Sequence, residues 1–197
     1  HRGPHSNPRV TARGRISSLK PIEIVLVDDH EIVRAGLRSL LERQEDLTIV
    51  GEASSGAEAV KLALQLKPDV VLMDVTMPNV DGVEATRRLK EQAPQLIVLA
   101  LTVHEEEAYF FEMLTAGAAG YVPKRASPST LIRAIHVVAD GEVFLHPSVA
   151  AVLVQEYLRE GRPEARKRIY DGLTARQREV LTLIAEGFSN QEIADDL

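Results

Sequence analysis

The chain has 197 residues, 45% of them hydrophobic, enough for a sizeable core and too many for a disordered chain. It has no cysteine, which excludes a disulfide framework and a thiolate zinc site, and no apolar run reaches the length of a membrane span. Of its 23 basic residues, five (Arg2, Arg9, Arg13, Arg15, Lys20) fall in residues 1–20 without a single acid, so the rest sets 18 basic against 29 acidic groups, a net −11 that suits a phosphate backbone poorly. The expectation is a soluble, cytoplasmic protein whose residues 1–20 form a flexible tail, which begins on His and need not be native.

From residue 21 the chain alternates strands and helices. IEIVLV (22–27) is an apolar run ending in the polar triplet Asp28–Asp29–His30. Residues 30–43 place Ile32, Val33, Leu37, Leu40 and Leu41 at helical spacing. LTIVGEA (47–53) reads as a strand. Ser55 with Glu58 forms a capping box for a helix that Pro68 stops. The run 69–73 is a third strand, followed by the loop TMPNVDG (76–82) and a helix from about 83 to 92. LIVLAL (96–101) is the fourth strand, 105–116 a helix, and AAGYV (118–122) the fifth strand. Ser127 followed by Pro128 is an N-cap with proline at the first helical position, opening a helix to about Ala139.

Five βα units with near-continuous apolar strands predict an α/β fold: a parallel sheet with helices on both faces. In such sheets ligands bind beyond the carboxyl ends of the strands, where the strand order reverses. The remaining chain is expected to form a linker over 142–172, with a helix near 148–160 and the charged stretch GRPEARKRIYDG, and then a helical segment over 173–197. That last segment carries two capping boxes, Thr174 with Gln177 and Ser189 with Glu192, joined by a turn at Glu186–Gly187–Phe188.

The strand ends carry the chemistry. Asp28 and Asp29 follow the first strand and Asp74 the third; side by side they would repel and raise one another's pKa. A hard divalent cation with oxygen ligands, Mg2+, relieves that repulsion. Lys124 and Thr102, at the ends of the fifth and fourth strands, add a cation and a hydroxyl. The set suits phosphoryl transfer onto an aspartate, with Asp74 as the best nucleophile because the strand that presents it is expected to be the most buried and stiff. A single strand-end Asp is usually a helix cap or turn former; the required types at all four strand ends are much harder to obtain by accident. His30 and His104 read as helix-start and loop residues, since a phosphate–Mg2+ site prefers oxygen.

VLVDDH, VLMDVTMPNVDG, LALT and GYVPK resemble the receiver domain of bacterial response regulators over about residues 22–140. The resemblance implies a flavodoxin-like, five-stranded sheet of order 2-1-3-4-5 in a receiver domain spanning 21–141. It implies that Asp74 accepts a phosphoryl group from a cognate histidine kinase. Asp28, Asp29, Asp74 and the backbone of Thr76 would hold Mg2+, Lys124 would pair with the phosphoryl oxygens, and Thr102 and Tyr121 would act as the switch. Two features depart from many receivers: Pro123 precedes Lys124 with Arg125 after it, and Val103 is larger than the small residue common there. On the residues alone, an aromatic such as Tyr121 on a short strand is more often simply packed.

LTARQREVLTLIAEGFSNQEIADDL (173–197) resembles the start of a LuxR-type helix-turn-helix, and the whole architecture resembles the NarL/FixJ group of response regulators. The segment holds two basic and five acidic residues, a net −3, and is expected to stop before the DNA-reading helix. The full-length protein is therefore expected to bind DNA and this chain alone is not, with a homodimer forming on phosphorylation and no membrane partner. A haloacid-dehalogenase-type enzyme is disfavoured because its second Asp is replaced by Thr76, and a receiver-fold scaffold because the acidic set is intact. The chain is expected to be a switch and not a turnover enzyme.

Overall fold

The computed structural model describes residues 20–103 and 107–146. Six strands alternate with five helices: β1 Ile22–Val27, α1 Glu31–Leu41, β2 Leu47–Ala53, α2 Gly56–Leu66, β3 Val70–Asp74, α3 Gly82–Gln92, β4 Ile97–Thr102, α4 Glu107–Thr115, β5 Gly120–Pro123, α5 Pro128–Ala139 and β6 Phe144–Leu145. All pairings are parallel and the order is β2-β1-β3-β4-β5-β6, which contains the expected 2-1-3-4-5.

The strands' two-residue alternation builds two cores. Val25, Val27, Val71, Met73, Val98 and Ala100 face α2, α3 and α4, whose inner surface is rich in small residues such as Ala59, Ala63 and Ala85. Ile24, Leu26, Val70, Leu72, Leu99 and Leu101 face the other way, toward Leu41 of α1 and Leu131, Ile135 and Val138 of α5. With both faces covered, no strand needs a polar side, and every residue of β3 is buried.

Local chemistry sets the helix ends. The Ser55 side chain accepts from Glu58 N at 3.3 Å, and Glu58 Oε2 accepts in return from Ser54 N at 2.8 Å, one residue earlier than in a regular capping box. Lys67 closes α2 in the left-handed region at φ 52°, ahead of Pro68. Ser127 caps α5 with Pro128 in its first turn. The helix expected from about 83 starts at Gly82, because Asp81 Oδ1 accepts from Glu84 N at 2.8 Å.

The sixth strand was not expected; its residues fall in the stretch read as linker. Two residues carry no periodicity, and what defines the strand is its neighbour: Phe144 N donates to Ala119 O and His146 N to Tyr121 O. Gly120 admits this approach, since a Cβ there would lie 2.7 Å from the Phe144 carbonyl oxygen. The tail over 1–19, His104, the helix expected near 148–160 and the segment 173–197 lie outside the described residues.

Candidate functional site

Parallel strands aim their carboxyl ends at one edge, so the residues after β1, β3, β4 and β5 meet there. Asp28 and Asp74 are 0% and 1% exposed, and Thr102 is buried at the end of β4. Lys124 reaches between the two acids: its Nζ is 2.5 Å from Asp28 Oδ2 and 2.8 Å from Asp74 Oδ2. Its backbone is held in place too, Lys124 N donating to Thr102 O at 2.6 Å. Asp29 is the outer acid, its side chain 23% exposed.

The two inner acids also perform the ordinary strand-end task. Asp28 Oδ1 accepts from His30 N at 2.9 Å, and Asp74 Oδ1 from Thr76 N at 3.4 Å. That occupies one oxygen of each and leaves the other to the Lys124 ammonium. Burial pushes the Asp74 carboxyl above the usual carboxylate range; Lys124 pulls it back, and the neighbouring Asp28 charge pushes with burial.

Close packing fixes where Asp74 sits. The start of α3 rests on the end of β3, with Gly82 N donating to Val75 O at 2.9 Å. A Cβ on Gly82 would stand 2.0 Å from the Asp74 carbonyl oxygen, so only glycine allows the helix to lie there.

The structure brings together all of Asp28, Asp29, Asp74, Thr76, Thr102 and Lys124. Tyr121 stands directly behind them. It is 2% exposed, its hydroxyl is hydrogen-bonded to the Thr102 side chain, and its ring packs edge-on against Phe110 at 5.2 Å. Burial raises the Tyr121 phenol above its ordinary range, so it stays a neutral partner for Thr102.

Sequence reasoning missed two participants. His30 is the helix-start residue expected, at the N-cap of α1, but its Nδ1 also lies 2.8 Å from Asp29 Oδ1 and 3.5 Å from Asp28 Oδ1. Arg34, one turn into α1, donates from Nη1 to the Asp28 carbonyl oxygen at 2.6 Å. The adjacency of His30 to two acids was a usable signal; the Arg34 contact depends on the direction in which α1 leaves the strand.

The donor set fits a hard divalent cation. Ligand atoms of Asp28, Asp29, His30 and Asp74 lie within 4.8 Å of one another. Lys124 bridges only two of the three carboxylates, Asp28 and Asp74, so the pocket retains negative charge, and its donors are chiefly oxygen.

Comparison with known proteins agrees with this geometry. Residues 24–136 match the response regulator receiver domain family, and residues 171–197 match the luxR family of bacterial regulatory proteins. The chain belongs to the two-component response regulators. The regulator is 42% identical over 173 residues to the response regulator protein VraR of Staphylococcus aureus, across 88% of this chain and 80% of that one. It is similar to the crystal structure of a LuxR-family two-component response regulator from Aurantimonas, at 36% identity and a TM-score of 0.68, over 71% of this chain and all of that one. It also resembles RcsB, solved as two dimers bound to two parallel DNAs, at 28% identity and a TM-score of 0.64, over 90% of this chain and 83% of that one. The regulator therefore combines a receiver domain with a LuxR-type segment, an arrangement for transcription control. Among its described residues no helix is long and apolar enough to cross a membrane.

Proposed function

We propose that Asp74 is the phosphoryl acceptor of this regulator and that a histidine kinase is the donor. The observation that carries this reading is Lys124 Nζ, bonded to Asp28 and Asp74 at once in a buried pocket. A carboxylate oxygen of Asp74 attacks phosphorus, the bond from phosphorus to the donor's imidazole nitrogen breaks, and the imidazole departs with its electron pair. Asp28, Asp29, Asp74 and the backbone carbonyl of Thr76 would hold Mg2+, which would neutralise charge on the phosphoryl oxygens. Lys124 turns from two carboxylates toward the new oxygens, and the Thr102 hydroxyl donates to another.

The phosphoryl group adds about −1.5 to −2 charge. Moving a two-state equilibrium from 1:99 to 99:1 takes roughly 5.5 kcal/mol of differential binding. A few charge-assisted hydrogen bonds at about 1.5–3 kcal/mol each are sufficient. Tyr121 feels the change through its bond to Thr102, which makes that pair the switch. Thr76 stands where an acid/base would be needed for turnover, so the acyl phosphate persists and the protein acts as a switch.

The receiver comprises the sheet and helices from residue 21 through β6, so the stretch expected as a linker over 142–172 gives up its first residues to the receiver, and the LuxR-type segment is the rest. The full-length protein controls transcription by binding DNA, with phosphorylation promoting a homodimer. Intact-mass spectrometry with acetyl phosphate and Mg2+ tests the acceptor: one added phosphoryl in the wild type, none in Asp74→Asn. An unmodified wild type would overturn the assignment. Light scattering before and after phosphorylation tests the dimer, and unchanged mass would count against it.

A further inference from the structure

Asp28 and Asp29 present their carboxylates from one turn, but they are held differently. Asp28 is fixed through its own side chain, by His30 N on one oxygen and Lys124 on the other. Among the described residues the Asp29 carboxylate meets only the exposed His30 imidazole. The point from which it reaches is therefore set by its backbone, and the decisive piece is the Asp28–Asp29 peptide. That peptide is planar, so fixing its carbonyl oxygen also fixes the direction of the Asp29 N–Cα bond; φ of Asp29 then places its Cβ, from which χ1 and χ2 aim the carboxylate.

Arg34 holds that oxygen. Its Nη1 donates to Asp28 O at 2.6 Å, and its Nε lies 3.5 Å from Glu52 Oε2. The Arg34 and Glu52 side chains are only 17% and 25% exposed. Glu52 is in turn held by the Arg38 guanidinium, from the next turn of α1, and sits on β2, paired with Leu26. The forked guanidinium serves a carbonyl and a carboxylate at once, which a lysine ammonium, a point charge on a flexible stem, does not reproduce.

We propose that Arg34 is a positioning residue: braced on Glu52, it holds the Asp28–Asp29 peptide so that Asp29 faces the divalent cation. This rests on reading the acidic pocket as the Mg2+ site. It yields a prediction whose sign separates it from simple electrostatics. Arg34 is a cation near an anionic pocket, so by charge alone Arg34→Ala should bind Mg2+ more tightly. Positioning gives the opposite, a loss of about 10-fold in affinity, the scale on which partners behind metal ligands act. Arg34→Lys keeps the charge and loses the fork, so it too should bind more weakly.

Isothermal titration of the whole chain with Mg2+ and no phosphodonor reads this directly. Alongside it, the Mg2+ dependence of acetyl phosphate labelling should show a half-saturating Mg2+ raised about 10-fold, with the rate at saturating Mg2+ close to wild type. A residue that merely supports the fold would lower the saturated rate as well. Mg2+ affinity in Arg34→Ala equal to or tighter than wild type would overturn the proposal; if that variant does not fold, unchanged affinity in Arg34→Lys does so. A wild type that binds no Mg2+ would instead overturn the reading of the pocket, and this proposal with it.

Discussion

The two ends of the sheet treat charge in opposite ways. At the carboxyl ends, Asp28 and Asp74 are buried and Lys124 is nearly so. At the amino ends the side-chain pairs stay in water, Lys20 with Glu23 at 3.2 Å and His136 on α5 with Asp46 before β2 at 2.7 Å, the latter side chains 38% and 62% exposed, and the part-buried Lys90 ammonium is met by the carbonyl oxygens of Pro94 and Leu96. The same strands and helices build both ends. The amino end shows how this fold disposes of charge when nothing requires burial. Buried ion pairs are often no more stabilising than apolar residues of the same shape, so the carboxyl end is arranged for chemistry at the expense of stability.

The largest effect should come from Asp74→Asn, which abolishes phosphoryl uptake by mass spectrometry. If the comparison holds, the same variant melts higher than wild type without Mg2+. The sign follows from burial: the folded state raises the Asp74 carboxyl, so ionised Asp74 opposes folding at every pH above the ordinary carboxylate range. A lower melting temperature would break the comparison. Lys124→Met leaves two buried acids without their shared cation and should cost about 3 kcal/mol in urea unfolding without Mg2+, with part of the loss recovered when Mg2+ is added.

Tyr121→Phe should cost about 1 kcal/mol, the scale of one buried hydrogen bond, while keeping the edge-on contact with Phe110. At the amino end, Asp46→Asn should cost only about 0.5 kcal/mol, as exposed pairs do. The hydrogen bond from His136 lowers the Asp46 carboxyl. Its contribution is therefore present above the ordinary carboxylate range and lost as pH falls through the lowered value, so wild type and variant should converge in acid. A loss at Asp46 as large as that at Lys124 would erase the distinction between the ends.

Most of this was legible in the sequence because the fold writes it locally. Apolar runs marked β1 to β5, Ser55 and Ser127 marked helix starts, and the acids, Thr102 and Lys124 all stand where a strand ends. What escaped was set by tertiary neighbours. Strand β6 exists because β5 offers it an edge. Arg34 bonds a carbonyl six residues back, a contact that appears only once α1 has turned away from β1. Asp81 was hidden as a cap because its loop, TMPNVDG, offers several turn formers. On the residues alone Tyr121 reads as an ordinary packed aromatic, and only the family resemblance pointed to it as part of the switch; its bond to Thr102 requires the pairing of β4 with β5.

Strand β6 makes the way out of the receiver a mechanical matter. Tyr121 pairs with Ala100 on one side and Leu145 on the other, and its carbonyl accepts from His146 N. The polypeptide heading toward the LuxR-type segment is thus buttoned to the backbone of Tyr121, the residue proposed to follow Thr102. Only a two-residue ladder of backbone hydrogen bonds fastens it, each worth about 1 kcal/mol, among them Phe144 N to Ala119 O and His146 N to Tyr121 O. A displacement of Tyr121 tugs first on that fastening, and a fastening this light can be undone by a shift much smaller than the one that would unpair any inner strand.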